Sequence, residues 1–188
     1  MRAVTAAVRF APLGRDATMD AGRRITALTH GDGAAWEGTA ILHELLRVAL
    51  DGGDPLAALP GTLNAVRAEH RGRWSRVLAA DWHPSEATES NGAVWACLGS
   101  ALWALRTTGD FPGALRAVID LGGDTDTTAA VTGGLAGAVY GAAAIPEDWL
   151  AALHVPLPPG QRVLRVEELT ELAVELDRAG RAGARSRG

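Results

Sequence analysis

The chain has 188 residues, 47% of them hydrophobic and 21% charged, which suits one folded domain and excludes a largely disordered chain. Its 18 basic residues are all arginine, so no Schiff-base or phosphate-binding lysine is available to any mechanism it supports. A net charge of −4 is not the footprint of a nucleic-acid binder, and the single cysteine, Cys97, cannot form an internal disulfide, which points to a reducing, cytoplasmic setting.

The N-terminal stretch MRAVTAAVRFAPLGRDATMD breaks its short apolar run with arginines and does not read as a signal peptide. Asp16 or Thr18 is expected to cap a helix ending near Leu28. Asp32 caps a second, whose apolar stripe is Trp36, Ile41, Leu42, Leu45, Leu46 and Leu50, and Gly52-Gly53-Asp54-Pro55 ends it. A third helix is expected over residues 63–80, followed by a polar loop from Asp81 to Ser90. A fourth runs from about Gly92 to Arg106. Asp110 caps a fifth, which Gly122-Gly123 breaks.

The next helix starts inside Asp124-Thr125-Asp126-Thr127 and is expected to reach about Ala144. Pro146 opens a short helix, Val155 to Gly160 is a proline-rich connector, and Glu167 to Arg178 is a last amphipathic helix. No strand is expected, because alternating β-branched runs are missing. The predicted fold class is all-α: a compact multi-helix bundle over residues 1–178, with 179–188 as a disordered arginine-glycine tail.

Most of the chemical information lies in LGGDTDTTAAVTGGLAGAVYG. Two glycines free the backbone to turn sharply, and two aspartates and three threonines follow within five residues. Asp124, Asp126 and Thr127 at such a junction can aim three oxygens at one point, as Mg²⁺ or Ca²⁺ requires. The bland reading is an elaborate helix N-cap, since Asp and Thr are favoured there anyway. Gly133, Gly137 and Gly141 recur every four residues and are expected to admit a neighbouring helix backbone. The uncharged run Thr127–Ile145 is long enough to raise a membrane span, but it is mostly alanine and glycine, so a buried helix is preferred. A second candidate is LTHGD, in which His30 lies at a helix end; alone, a histidine there is explained by the helix dipole.

These segments resemble the ADP-ribosylglycohydrolases, which include the dinitrogenase-reductase-activating glycohydrolases. LGGDTDTTAAVTGGLAGAVYG is similar to the family's C-terminal signature, LTHGD to its central histidine segment, and AIPEDWL to its usual exit. The resemblance implies an all-α fold and a hydrolase that cleaves the bond between ADP-ribose and a protein side chain or small acceptor. It implies two Mg²⁺ ions, with Asp124, Asp126 and Thr127 as metal ligands and His30 contacting ADP-ribose. An ADP-ribosylated protein or small molecule is the expected partner, with no nucleic acid and no membrane.

The chain departs from that pattern in lacking a Thr-Asp-Asp element, which in the family supplies further ligands. Its Met1-Arg2 start resembles a point inside the family fold. The expectation is therefore a chain lacking the N-terminal half of the metal site, binding Mg²⁺ weakly and with little activity alone; the alternative is an inactive ADP-ribose-binding or structural remnant. Asp124-Thr-Asp126-Thr-Thr128 also matches the DxDxT pattern of haloacid-dehalogenase-type phosphatases, but glycines stand where that motif needs a buried strand.

Overall fold

One long helix, α3 (Gly33–Leu50), organises the fold. Asp32 caps it, its carboxylate accepting from the Ala34 N–H at 2.8 Å. Its apolar stripe then packs against its neighbours, with Ile41 and Leu45 fully buried. The computed structural model describes residues 3–158, 160 and 162–186. Around α3 lie α1 (Val4–Phe10), α2 (Arg15–Ala27), α4 (Pro55–Asn64), α5 (Ala68–Val77), α6 (Val94–Thr107) and α8 (Thr125–Tyr140). Helix α7 (Phe111–Ile119) packs on α6 and α8; α9 (Glu147–Ala152), a hairpin of β1 (Val155–Leu157) and β2 (Arg162–Leu164), and α10 (Val166–Arg185) complete the chain. The fold is all-α apart from that hairpin. No helix among the described residues is long and apolar enough to cross a membrane.

Several expected boundaries move. Helix α2 begins at Gly14, not at an aspartate cap; the Thr18 hydroxyl instead donates back to the carbonyls of Gly14 (2.7 Å) and Phe10 (3.0 Å). The apolar N-terminal run is itself a helix, α1. The expected helix over 63–80 is two helices: Asp54 caps α4, and the chain breaks between Asn64 and Ala68. Helix α8 stops at Tyr140, and the connector expected from Val155 contributes β1, paired antiparallel with β2; Pro159 lies outside the described residues.

The largest difference is at the end. Where a tail was expected from residue 179, α10 continues to Arg185, and Gly180 is buried. The glycines there are contact points: a Cβ at Gly180 would come within 2.5 Å of the Arg9 carbonyl oxygen and 2.9 Å of Pro12 Cγ. Bare backbone lets α10 lie directly on the turn after α1. Arg187 and Gly188, like Met1 and Arg2, lie outside the described residues.

Two buried carboxylates on α3 tie it to its surroundings. Glu37 takes Arg23 in a two-point pair (3.1 and 2.8 Å) and Arg67 at 3.2 Å. Glu44 takes Arg15 at 3.0 Å and Arg47 at 2.7 and 2.8 Å. Between them His43 is buried, with Nδ1 3.2 Å from the Thr18 carbonyl and Nε2 2.8 Å from that of Ala3. Burial pushes its pKa down, against the pull of the two carbonyls.

Burial alone would raise the Glu44 carboxyl, but Arg47 and Arg15 outweigh it and hold it below its ordinary value. A carboxyl depressed in the folded state adds stability above its unfolded pKa and loses it as pH falls through the folded value. Glu44→Gln is expected to cost about 2 kcal/mol near neutrality, less than a fully buried pair because Arg15 is partly exposed. Thermal unfolding against pH checks this: the gap between variant and parent should close below the ordinary carboxylate range.

Candidate functional site

The turn into α8 is built from two consecutive glycines in the left-handed region, Gly122 (φ 70°) and Gly123 (φ 68°). They reverse the chain after α7 and deliver Asp124 to the N-cap. Its Oδ1 accepts from the Thr127 N–H at 3.3 Å, and the Thr128 hydroxyl donates to the Asp124 carbonyl at 2.8 Å. Asp126 follows on the first turn, exposed. Hydrogen bonding to Thr127 and then Asp126 holds the Asp124 carboxyl below its ordinary value.

This turn is gripped from the loop before α6. The Asn91 Nδ2 donates to the Gly122 carbonyl at 2.7 Å, and its Oδ1 accepts from the Asp124 N–H at 2.9 Å. Next to it, a Cβ on Gly92 would overlap the Asp124 carboxylate. Neither residue was marked out for the site in the sequence, where Gly92 read only as the start of the fourth helix; that helix begins at Val94. A Cβ on Gly123 would fall 2.5 Å from Asn91 Oδ1. Gly123→Ala is therefore expected to cost about 2 kcal/mol, combining left-handed strain with displacement of the Asn91 amide; denaturant unfolding of the variant measures it.

His30 is exposed at the turn between α2 and α3. Its Nδ1 lies 2.8 Å from the Thr29 hydroxyl, and its carbonyl accepts from Trp36 Nε1 at 2.6 Å. His30 makes no hydrogen bond to the α8 turn among the described residues. A Cβ on Gly33, at the start of α3, would meet His70 Nε2 at 3.0 Å. His70 stands edge-on to Trp95 at 6.4 Å, in the first turn of α6, three residues after Gly92. Trp95 packs on Trp74 at 4.1 Å and under the Arg73 guanidinium at 4.3 Å. The N-termini of α3, α6 and α8 thus share one face.

The expected small-residue groove on α8 takes a different form. A Cβ on Gly133 or Gly137 would meet side chains of α7, Leu115 and Phe111, at an ordinary 3.7 and 3.8 Å. The close approach is at Gly134, where a Cβ would fall 2.6 Å from Val4 of α1. Trp149 of α9 sits edge-on to Phe111 at 6.2 Å.

Chemically, the α8 turn offers two carboxylates and a hydroxyl, all hard oxygen donors suited to Mg²⁺. Among the described residues no three His, Cys, Asp or Glu side chains gather into a metal-binding group. Cys97, whose Sγ is 4.0 Å from the Thr127 carbonyl, is no nucleophile: burial pushes its thiol up to about 11.

Comparison with known proteins gives a consistent picture. The family model described as ADP-ribosylglycohydrolase matches residues 1–185. An ADP-ribosylarginine hydrolase, Tri1, of Pseudomonas putida (strain GB-1) is 29% identical over 157 residues, 82% of this chain and 38% of that protein. Its namesake in Serratia proteamaculans (strain 568) is 36% identical over 87 residues, 46% of this chain and 21% of that protein. A solved structure described as an ADP-ribosylglycohydrolase-related protein complex superposes with a TM-score of 0.73 at 34% identity, covering 93% of this chain and 57% of the other. The chain thus spans well under two thirds of each of these relatives.

Proposed function

The chain belongs to the ADP-ribosylglycohydrolase family, and from that premise we propose that it forms part of a Mg²⁺-dependent site that hydrolyses the bond between ADP-ribose and an arginine side chain. The observation that carries this reading is the placement of Asp124 at the N-cap and Asp126 and Thr127 in the first turn of α8, with Gly92 leaving room for the Asp124 carboxylate. The arginine acceptor follows the activity named for the two bacterial relatives.

In such a site Asp124, Asp126 and Thr127 hold the metal and His30 contacts ADP-ribose. Thr29 fixes the His30 Nδ1 and leaves Nε2 to the ligand. Bound Mg²⁺ supplies a polarised water and orients the ribose hydroxyls. The reaction breaks the bond from the anomeric carbon of the distal ribose to the guanidine nitrogen, forms one to the oxygen of water, and passes the proton to the departing guanidine. Positive charge builds on that anomeric carbon as the bond stretches. The carboxylates of Asp124 and Asp126 favour that charge electrostatically, and their place on a folded helix means they need not reorganise to do so.

A second reading, a non-catalytic ADP-ribose binder, is favoured by the small number of acidic ligands gathered at this end. The test is release of ADP-ribose from an arginine-modified peptide by the purified chain, with Mg²⁺ and with EDTA, alongside calorimetric binding of ADP-ribose. Mg²⁺-dependent release supports the hydrolase. Mg²⁺-dependent binding without release supports the binder. Neither binding nor release overturns both.

A further inference from the structure

The N-cap bond of Asp124 is long, 3.3 Å, near the limit of a useful N–H···O contact. The two bonds from Asn91 to the same turn are 2.7 and 2.9 Å and reach across 31 and 33 residues of sequence. The segment they hold, Gly122-Gly123, is the most freely rotating unit a chain can contain. Without an outside grip this turn would leave the Asp124 carboxylate to sample many directions. The grip is also chemically particular. One atom must donate to a carbonyl while its neighbour accepts from an N–H, which a carboxamide does and a carboxylate cannot. Shape reinforces it, because Gly123 faces Asn91 Oδ1 and Gly92 faces the Asp124 carboxylate, so the two loops interlock with no side-chain carbon between them.

We infer that Asn91 is a positioning residue for the divalent-metal site, fixing the Gly122–Asp124 turn so that Asp124 presents its carboxylate in one direction. The inference rests on the proposed metal-binding role of Asp124. It gives Asn91 the part that outer hydrogen-bonding partners play at metal sites, where their loss weakens metal binding by about 10- to 100-fold.

The experiment is titration of the full chain and of Asn91→Ala with Mn²⁺, followed by electron paramagnetic resonance and by competition with Mg²⁺. Amide hydrogen exchange is measured at Asp124 without metal. The expected result is a fall in Mn²⁺ affinity of at least about 10-fold, with faster exchange at Asp124 and unchanged exchange in the middle of α8. A merely structural role would lower the unfolding temperature and leave the affinity of the folded variant alone. Should Asn91→Ala fail to fold, Asn91→Ser gives the same comparison, since its hydroxyl is too short to hold both ends of the turn. Parent-like Mn²⁺ binding in a folded variant overturns this inference and leaves the metal reading standing. A parent chain that binds no Mn²⁺ overturns the metal reading and this inference with it.

Discussion

Asp126→Ala is expected to abolish the Mg²⁺ binding proposed for the chain, a loss above the roughly 100-fold that marks the upper range for outer partners of a metal site. Asp126 is the sharper probe of the pair. Asp124 also caps α8 through the Thr127 N–H, so its removal mixes loss of a ligand with about 1 kcal/mol of helix capping. Asp126 is exposed and contributes to the helix only by lying in its first turn, worth a few tenths of a kcal/mol, about 0.3. The unfolding midpoint of the variant should match the parent without metal and fail to rise when Mg²⁺ is added. Calorimetry on both proteins measures the effect directly, and unchanged binding in the variant would remove Asp126 from the ligand set.

Trp74→Ala costs about 3–5 kcal/mol of folding stability, a large share of the roughly 5–15 kcal/mol that holds most domains folded. Trp74 on α5 is fully buried, packed against Trp95. The far side of its ring faces Gly38 of α3, where a Cβ would come within 2.7 Å of the indole. With glycine there, α3 has no side chain to move into the vacated space, so the cavity stays open. Trp74→Phe should cost less than Trp74→Ala, because the phenyl ring still fills much of the space the indole occupies. Urea unfolding of both variants, with the slope checked for constancy, separates them. Equal losses would show that the phenyl ring does not fill that space.

Much of the helical order was legible because it is set locally. Asp32, Asp54 and Asp110 each precede a helix and cap it, accepting from the N–H of Ala34, Leu56 and Gly113. The Asp54-Pro55 pair was nevertheless read as the end of one helix and not also as the start of another. The Asp-Thr-Asp-Thr motif was legible for the same reason, being a turn and a cap in successive residues. What escaped was set by distant partners. Glu37 and Glu44 look like members of a solvated helix face until Arg23 and Arg15 arrive from α2, 14 and 29 residues away. Asn91 carries no local mark, since its partners lie more than 30 residues on. Glycine misled in both directions: the groove expected at Gly133 and Gly137 meets side chains, while Gly180, read as part of a frayed end, is a tight contact.

That contact has a consequence for biosynthesis. Helix α1 and the turn after it pack against the stretch of α10 around Gly180 and Gly183, which is synthesised long after them. At ribosomal rates of about 5–20 residues per second, some ten to thirty seconds separate the two. During that interval the nascent chain can close α2 on α3 but leaves the α10-facing side of α1 and its following turn open. Helix α10 then acts as a latch, and deletions after residue 178 should lower the yield of soluble protein more than they lower the stability of the bundle already formed.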